Sequence, residues 1–131
     1  MDVIRRNTDY AMRLVVGLVG NYDKTPVSAR QLAKNQDVPY DLACKLLQKL
    51  ASAELVKSSM GASGGFELAK APDKISLYEI VKAVQGGICL NRCVPDPKSC
   101  PNSCSCGISK KLIDLQDYID EYLKKIMLSN L

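Results

Sequence analysis

The chain contains no histidine and no tryptophan, and only one phenylalanine beside six tyrosines. Without histidine the commonest general base is missing, and neither a nucleophile–base pair nor a phosphate-binding glycine loop can be found, so an enzyme is not expected. The shortage of aromatic residues leaves Leu, Ile, Val and Ala to build the core, a composition that favours helices. Long apolar runs are also lacking. The longest, Leu14 to Val19, is far too short to span a bilayer, so no membrane partner is expected. Met1-Asp2-Val3-Ile4-Arg5-Arg6 leads into an amphipathic segment without an apolar leader and cleavage site, and a cytoplasmic location is expected.

What the 131 residues do contain is 47% hydrophobic and 24% charged side chains, with a net charge of +4, an ordinary globular balance that permits nucleic-acid binding without demanding it. The basic excess is largest over residues 28–60, where five basic side chains meet three acidic ones.

Apolar spacing predicts a helix over residues 6–21, capped by Asn7 or Thr8, with Met12, Val15, Val16 and Val19 recurring at helical intervals. Ser28 caps a short helix near 29–36, and Asn35-Gln36-Asp37 makes a tight turn. Pro39 then opens a helix over about 39–53, whose apolar face is Leu42, Ala43, Leu46, Leu47 and Leu50. The period then changes to that of a strand at 55–59, a glycine turn at 61–65 and a return strand at 66–68. Ser76-Leu77-Tyr78-Glu79 is a capping box opening a helix to about Gln85, stopped by Gly86-Gly87.

Two helices, a tight turn, a third helix and a glycine-turned hairpin, in that order, make a winged helix-turn-helix. The third helix is the candidate major-groove reader. Tyr40 and Asp41 lie in its first turn, where base edges are reached, and Lys45 and Lys49 suit phosphates. Ser28 joins this surface. The hairpin 55–69 is the wing, in which Ser58 and Ser59 can donate to phosphate oxygens while Gly61 and Gly64 allow close approach to DNA. The outward face of the reader carries no Arg, the strongest base reader, so discrimination falls to the wing, the helix start or DNA shape.

Residues 88–107 hold five of the six cysteines and three prolines, without regular structure. Six cysteines in a reducing compartment are poor candidates for three structural disulfides. The loop set Cys89, Cys93, Cys100, Cys104 and Cys106 is spaced x3, x6, x3 and x1, which matches no common zinc module. An iron–sulfur cluster, a zinc site and a metal-free thiol switch all remain open on spacing alone. Cys44, alone in the reading helix, has the pattern of a small buried residue. A long helix over about 108–128 follows. Its residues Ile108, Leu112, Leu115, Ile119, Tyr122 and Ile126 form a heptad seam, to be buried against the same helix of a second subunit or against its own domain.

Several segments resemble one known family. Thr8-Asp9-Tyr10-Ala11-Met12-Arg13-Leu14, Val38-Pro39-Tyr40 through Leu50, Gly61-Ala62-Ser63-Gly64-Gly65-Phe66-Glu67-Leu68, Ile75 to Val81 and Lys125-Ile126-Met127-Leu128 are similar, in this order, to segments of the dimeric winged-helix iron–sulfur transcription regulators that include IscR, NsrR and RirA. The resemblance implies a mainly α fold, with a winged helix-turn-helix over residues 1–86, a cluster-binding loop over 87–107 and a long C-terminal dimerisation helix over 108–131. It implies a homodimer on double-stranded promoter DNA, acting as a repressor. It also implies three ligating loop cysteines, which fall on Cys93, Cys100 and Cys106, with Cys104 as an alternative ligand. The histidine of IscR-like members is replaced by Ser109. The first-helix Asp of NsrR-like members, which completes a 4Fe-4S cluster across the dimer, falls on Asp9 of the partner subunit. A 4Fe-4S cluster is therefore preferred, with 2Fe-2S possible. Met60 stands where IscR-like members carry a DNA-contacting Arg.

Overall fold

Aliphatic residues at helical spacing build the first layer of the core. In the computed structural model, which describes residues 2–91, 94–102 and 105–131, α1 (Arg6–Val19) buries Thr8, Ala11, Leu14, Val15 and Leu18 along one face. Burying a side chain of that size contributes about 1.5–3 kcal/mol, so a single stripe suffices to hold a helix this short on its neighbours. Those neighbours are α2 (Ala29–Asn35), α3 (Tyr40–Ser52) and α4 (Leu77–Gln85). At Gly17 a Cβ would come within 2.9 Å of the Leu32 side chain, so this glycine sets how closely α1 and α2 approach.

The turn between α2 and α3 places Asp37 at φ 54° and is closed by the Val38 N–H donating to Ala33 O at 2.9 Å. Pro39 is the N-cap of α3, and Ala43, Leu46, Leu47 and Leu50 are buried. The chain leaves α3 with Leu55 N–H bonded to Leu50 O at 3.0 Å, then forms β1 (Val56–Ser59) and β2 (Gly65–Leu68), antiparallel with Val56 opposite Leu68 and Ser59 opposite Gly65. The core around Leu14, Leu18, Leu47, Leu50, Leu68, Ile75 and Ile80 contains no fully buried aromatic ring, as the composition implied.

The winged-helix order is therefore observed, with local corrections. Neither Asn7 nor Thr8 caps α1. The N-cap is Arg5, which makes no side-chain cap bond, while Thr8 is wholly buried and donates to Gln85 Oε1 at 2.7 Å. The last helix, α5 (Gly107–Lys125), stops before residue 128. Beyond it Leu77 N–H donates to Ile126 O and Leu128 N–H to Ile75 O, both at 2.9 Å, and Leu128 enters the core. The apolar residues after Lys125 thus close the domain as a strand-like bridge to Ile75–Ser76 and do not extend the helix. Among the described residues no helix is long and apolar enough to cross a membrane.

The capping box of α4 is present. Ser76 Oγ accepts from Glu79 N–H at 3.3 Å, and Glu79 Oε2 accepts from Ser76 N–H at 2.9 Å, while Lys70 Nζ donates to Glu79 Oε1 at 2.9 Å. Burial pushes the Glu79 carboxyl up, but the Ser76 N–H and Lys70 outweigh it and hold the group below its usual value. A carboxylate with a depressed folded pKa contributes stability above the ordinary carboxylate range, and this is lost as pH falls through the folded value. Glu79→Gln keeps a capping side chain and loses the charge. Thermal unfolding against pH is expected to show it destabilised at neutral pH by less than about 1 kcal/mol, since the pair is part-exposed, and level with the wild type in acid.

Candidate functional site

The reading surface begins at the start of α3. Tyr40 and Asp41 occupy its first turn, both exposed, and Lys45 follows one turn later on the exposed side. Lys49 lies nine residues beyond Tyr40, about 14 Å along the axis, and lines a small cleft with Arg5, Arg6, Thr8 and Gln85 at the start of α1 and the end of α4. Ser28 caps α2, its Oγ accepting from Gln31 N–H at 3.1 Å. One feature was not legible in the sequence. Arg30 of α2 lies over the Tyr40 ring, its guanidinium carbon 4.3 Å from the centroid. No periodicity signals a contact between two helix starts ten residues apart.

The wing is tied to this surface. Val27 and Phe66 exchange backbone bonds of 2.9 and 2.7 Å, so β2 is held, near its turn end, to the residue before Ser28. Ser58 and Ser59 are exposed on β1, and Gly61 adopts φ 103° at the tip. At Gly64 a Cβ would fall 2.3 Å from Ser59 O, and at Gly65 2.4 Å from Val27 O. These two glycines let the chain approach its own backbone, a need that stands without DNA. Met60 at the tip is 98% exposed.

The cysteine loop is anchored at its entrance by two glutamines that the apolar pattern does not reveal. Gln85 Oε1 accepts from Arg5 N–H at 3.0 Å as well as from Thr8, and its Nε2 donates to Val3 O at 3.0 Å and Gly87 O at 3.1 Å. Gln116, buried on α5, accepts from Leu90 N–H at 3.2 Å and donates to Asp120 at 3.0 Å. A cleft of about 500 Å³ opens here, lined by Arg5, Tyr78, Lys82, Gln85, Cys89 and Gln116 among others.

Of the loop thiols, Cys89 is exposed, with Sγ donating to Asn91 O at 3.2 Å, and Cys100 and Cys106 are half-buried. Cys106 is the N-cap of α5, with no side-chain cap bond. Cys93 and Cys104 lie outside the described residues. Among the described residues no three His, Cys, Asp or Glu side chains gather to hold a metal. The donor set fits an iron–sulfur cluster in kind, because thiolates are its usual ligands and no histidine competes. Completing such a site takes a ligand from beyond the described residues or from a second chain. Asp9 is engaged within its own chain by Arg13 at 2.9 Å. Ser109 is buried in the first turn of α5. Cys44 is half-buried in α3.

The heptad seam divides into two rows. Leu112, Ile119 and Ile126 are half-buried, whereas Ile108, Leu115 and Tyr122 are exposed, with Tyr118 beside them 70% exposed.

Comparison with known proteins bears on the whole chain. Residues 4–131 match the Rrf2 family, described as an iron-dependent transcriptional regulator. The chain belongs to the Rrf2 family. As an Rrf2 protein it is a transcriptional regulator of a DNA-binding family and not an enzyme. It is 25% identical over 128 residues to the HTH-type regulator NsrR of Bacillus licheniformis, covering 94% of this chain and 90% of that one. The fold is similar to that of CymR, the global cysteine regulator of B. subtilis, with a TM-score of 0.81 at 24% identity, over 99% of this chain and 95% of that one. It is likewise similar to IscR of T. potens, with a TM-score of 0.75 at 23% identity, over 97% and 83% of the two chains. The Rrf2 protein thus has the winged-helix architecture expected from its sequence.

Proposed function

We propose that this Rrf2 protein is a cytoplasmic, homodimeric repressor that senses redox state, nitric oxide or iron and cluster supply through an iron–sulfur cluster. The observation that carries the reading is the thiol-rich loop entering α5 at Cys106, a half-buried N-cap whose side chain makes no cap bond. Cys93, Cys100 and Cys106 would hold a 4Fe-4S cluster, with Cys104 as alternative, and Asp9 of the partner subunit would complete it. Asp9 would exchange its ion pair with Arg13 for that role. The positive end of α5 favours negative charge beside Cys106. A bound cluster supplies the electron and ligand-exchange chemistry on which such signals act.

The chain's own residues supply the coupling. Gln85 bonds Gly87 at the loop entrance and also Val3, Arg5 and Thr8, so displacement of the loop is passed to the start of α1, which packs on the reading helix α3. The exposed row Ile108, Leu115 and Tyr122 suits burial against a second copy, which would set the spacing of the two reading helices on promoter DNA.

A metal-free thiol switch on the same fold is the second reading, favoured by the exposed Cys89 outside the proposed ligand set. Anaerobic purification followed by iron and sulfide analysis, absorption and Mössbauer spectroscopy separates the two. Iron and sulfide in equal amounts with a 4Fe-4S spectrum are expected. A protein without iron after reconstitution, its thiols oxidising reversibly, supports the second reading, and bound zinc supports a zinc-stabilised module.

A further inference from the structure

We infer that Arg30, held over the ring of Tyr40, is a preorganised contact that grips a pair of coplanar acceptors on duplex DNA. This rests on the DNA-binding reading and adds to it a residue outside the reading helix.

Arg30 is the second residue of α2, and Tyr40 is the first of α3, where Pro39 fixes the entry of the chain. Both are exposed. Their separation of 4.3 Å is shorter than the 4.8–5.5 Å of the other cation–ring contacts, so the guanidinium is close to van der Waals contact with the ring face. Such contact restrains the long side chain and leaves the N–H groups along its edge free, because a guanidinium donates in its own plane.

Two arginines of α1 are already engaged. Arg13 is paired with Asp9, and Arg6 donates to Tyr10 OH at 2.9 Å. Among the described residues no carboxylate lies within ion-pair reach of Arg30 and no protein group accepts a hydrogen bond from it. An exposed cation that is held in place without a protein acceptor is arranged for an external one.

The location points to DNA. Arg30 stands two residues after Ser28, whose neighbour Val27 pairs with Phe66 of the wing strand β2, and it touches the first residue of the reading helix. It therefore lies where the wing and the start of α3 converge. The reading helix itself presents no Arg, and its fold neighbour supplies one. Two acceptor pairs on a duplex match a guanidinium edge: the non-bridging oxygens of a phosphate, and O6 with N7 of guanine. Tyr40 then acts as a positioning residue, working through Arg30.

The test uses a random duplex pool enriched on the wild-type protein, a duplex of unrelated sequence, and binding followed by fluorescence anisotropy over a range of salt. Thermal unfolding of each variant checks the fold. Arg30→Ala and Tyr40→Ala are each expected to weaken binding about tenfold to a hundredfold, as for loss of one bidentate contact. The double variant should bind no more weakly than either single variant. Tyr40→Phe, which keeps the ring over Arg30, should lose less affinity than Tyr40→Ala; a loss as large as that of Tyr40→Ala would place the contribution of Tyr40 in its hydroxyl and overturn its role through Arg30. Arg30→Lys should recover less than the wild-type affinity, since it retains charge without the fork. Loss confined to the enriched duplex and abolished by 7-deazaguanine assigns the acceptors to guanine. Equal loss on both duplexes, with a shallower salt dependence, assigns them to phosphate. Wild-type affinity in a folded Arg30→Ala protein overturns the inference, and additive losses in the double variant overturn the role of Tyr40. Absence of any duplex binding by the wild type instead sinks the DNA reading itself, and the inference with it.

Discussion

Cys106→Ala is expected to yield a folded protein that holds little iron. The substitution should cost the fold little, because the Cys106 side chain makes no cap bond and is only half-buried. Replacing even a functioning N-cap by Ala costs about 0.5–2 kcal/mol, and here there is no cap bond to lose. The effect on cluster binding should be large, because no histidine in the chain can replace the lost thiolate, and any iron retained through the alternative ligand Cys104 should be lost when Cys104→Ala is added. Cys89→Ala provides the comparison. Its thiol is exposed and bonded to Asn91 O, and it lies outside the proposed ligand set, so iron content should stay at the wild-type level. Iron and sulfide per chain, measured after anaerobic reconstitution of both variants, check the pair. Full iron in Cys106→Ala would remove it from the ligand set.

Leu47→Ala is expected to have the largest effect on stability. Leu47 is fully buried in α3, the helix that contacts α1, α2, α4 and β1. Truncating a buried leucine removes transfer free energy and leaves a cavity, together about 2–5 kcal/mol. Against a domain stability of about 5–15 kcal/mol this is a large share. Denaturant unfolding should show the loss as a lower midpoint with little change in slope. Because the cavity lies directly beneath the reading helix, DNA binding should weaken even under conditions where the variant is folded. A loss below that range would mean that the α3 stripe is less central to the core than its burial indicates.

Local signals were legible where the chain obeys a single period. The leucine stripe of α3, the capping box at Ser76 and Glu79, and the left-handed Gly86 that ends α4 each depend on residues within a few positions of one another. The departures arise where distant parts of the chain compete for the same group. Thr8 has the chemistry of a cap, but its hydroxyl is taken by Gln85, 77 residues away. Ile126, Met127 and Leu128 continue the apolar period of α5, but their backbone leaves the helix to pair with Ile75 and Ser76. A heptad pattern marks which residues are apolar without saying which neighbour covers them, and the structure turns one row inward and leaves the other exposed.

The functional surface was partly legible for the same reason. Tyr40, Asp41, Lys45, Ser58 and Ser59 can be placed from helix and hairpin order, and all are exposed. Gly64 and Gly65 were readable as turn residues, but the clashes they avoid, with Ser59 O and Val27 O, exist only once the wing is folded. Arg30 carries no local signal, since its partner Tyr40 belongs to another helix. Gln85 and Gln116 stand among other polar residues of their helices without a distinguishing local signal, and only the fold shows that they hold the two sides of the loop entrance. The cysteine loop was readable by its thiol density and the absence of histidine.

The central claim, that the loop's cluster governs binding to DNA, is tested most directly by measuring affinity for one enriched duplex with the anaerobic, iron-loaded protein and again after the iron has been stripped from the same preparation. The account predicts a clear difference between the two states, which disappears in Cys106→Ala. Equal affinity in both states would contradict it, leaving a DNA-binding protein whose cysteine loop does not act as its sensor.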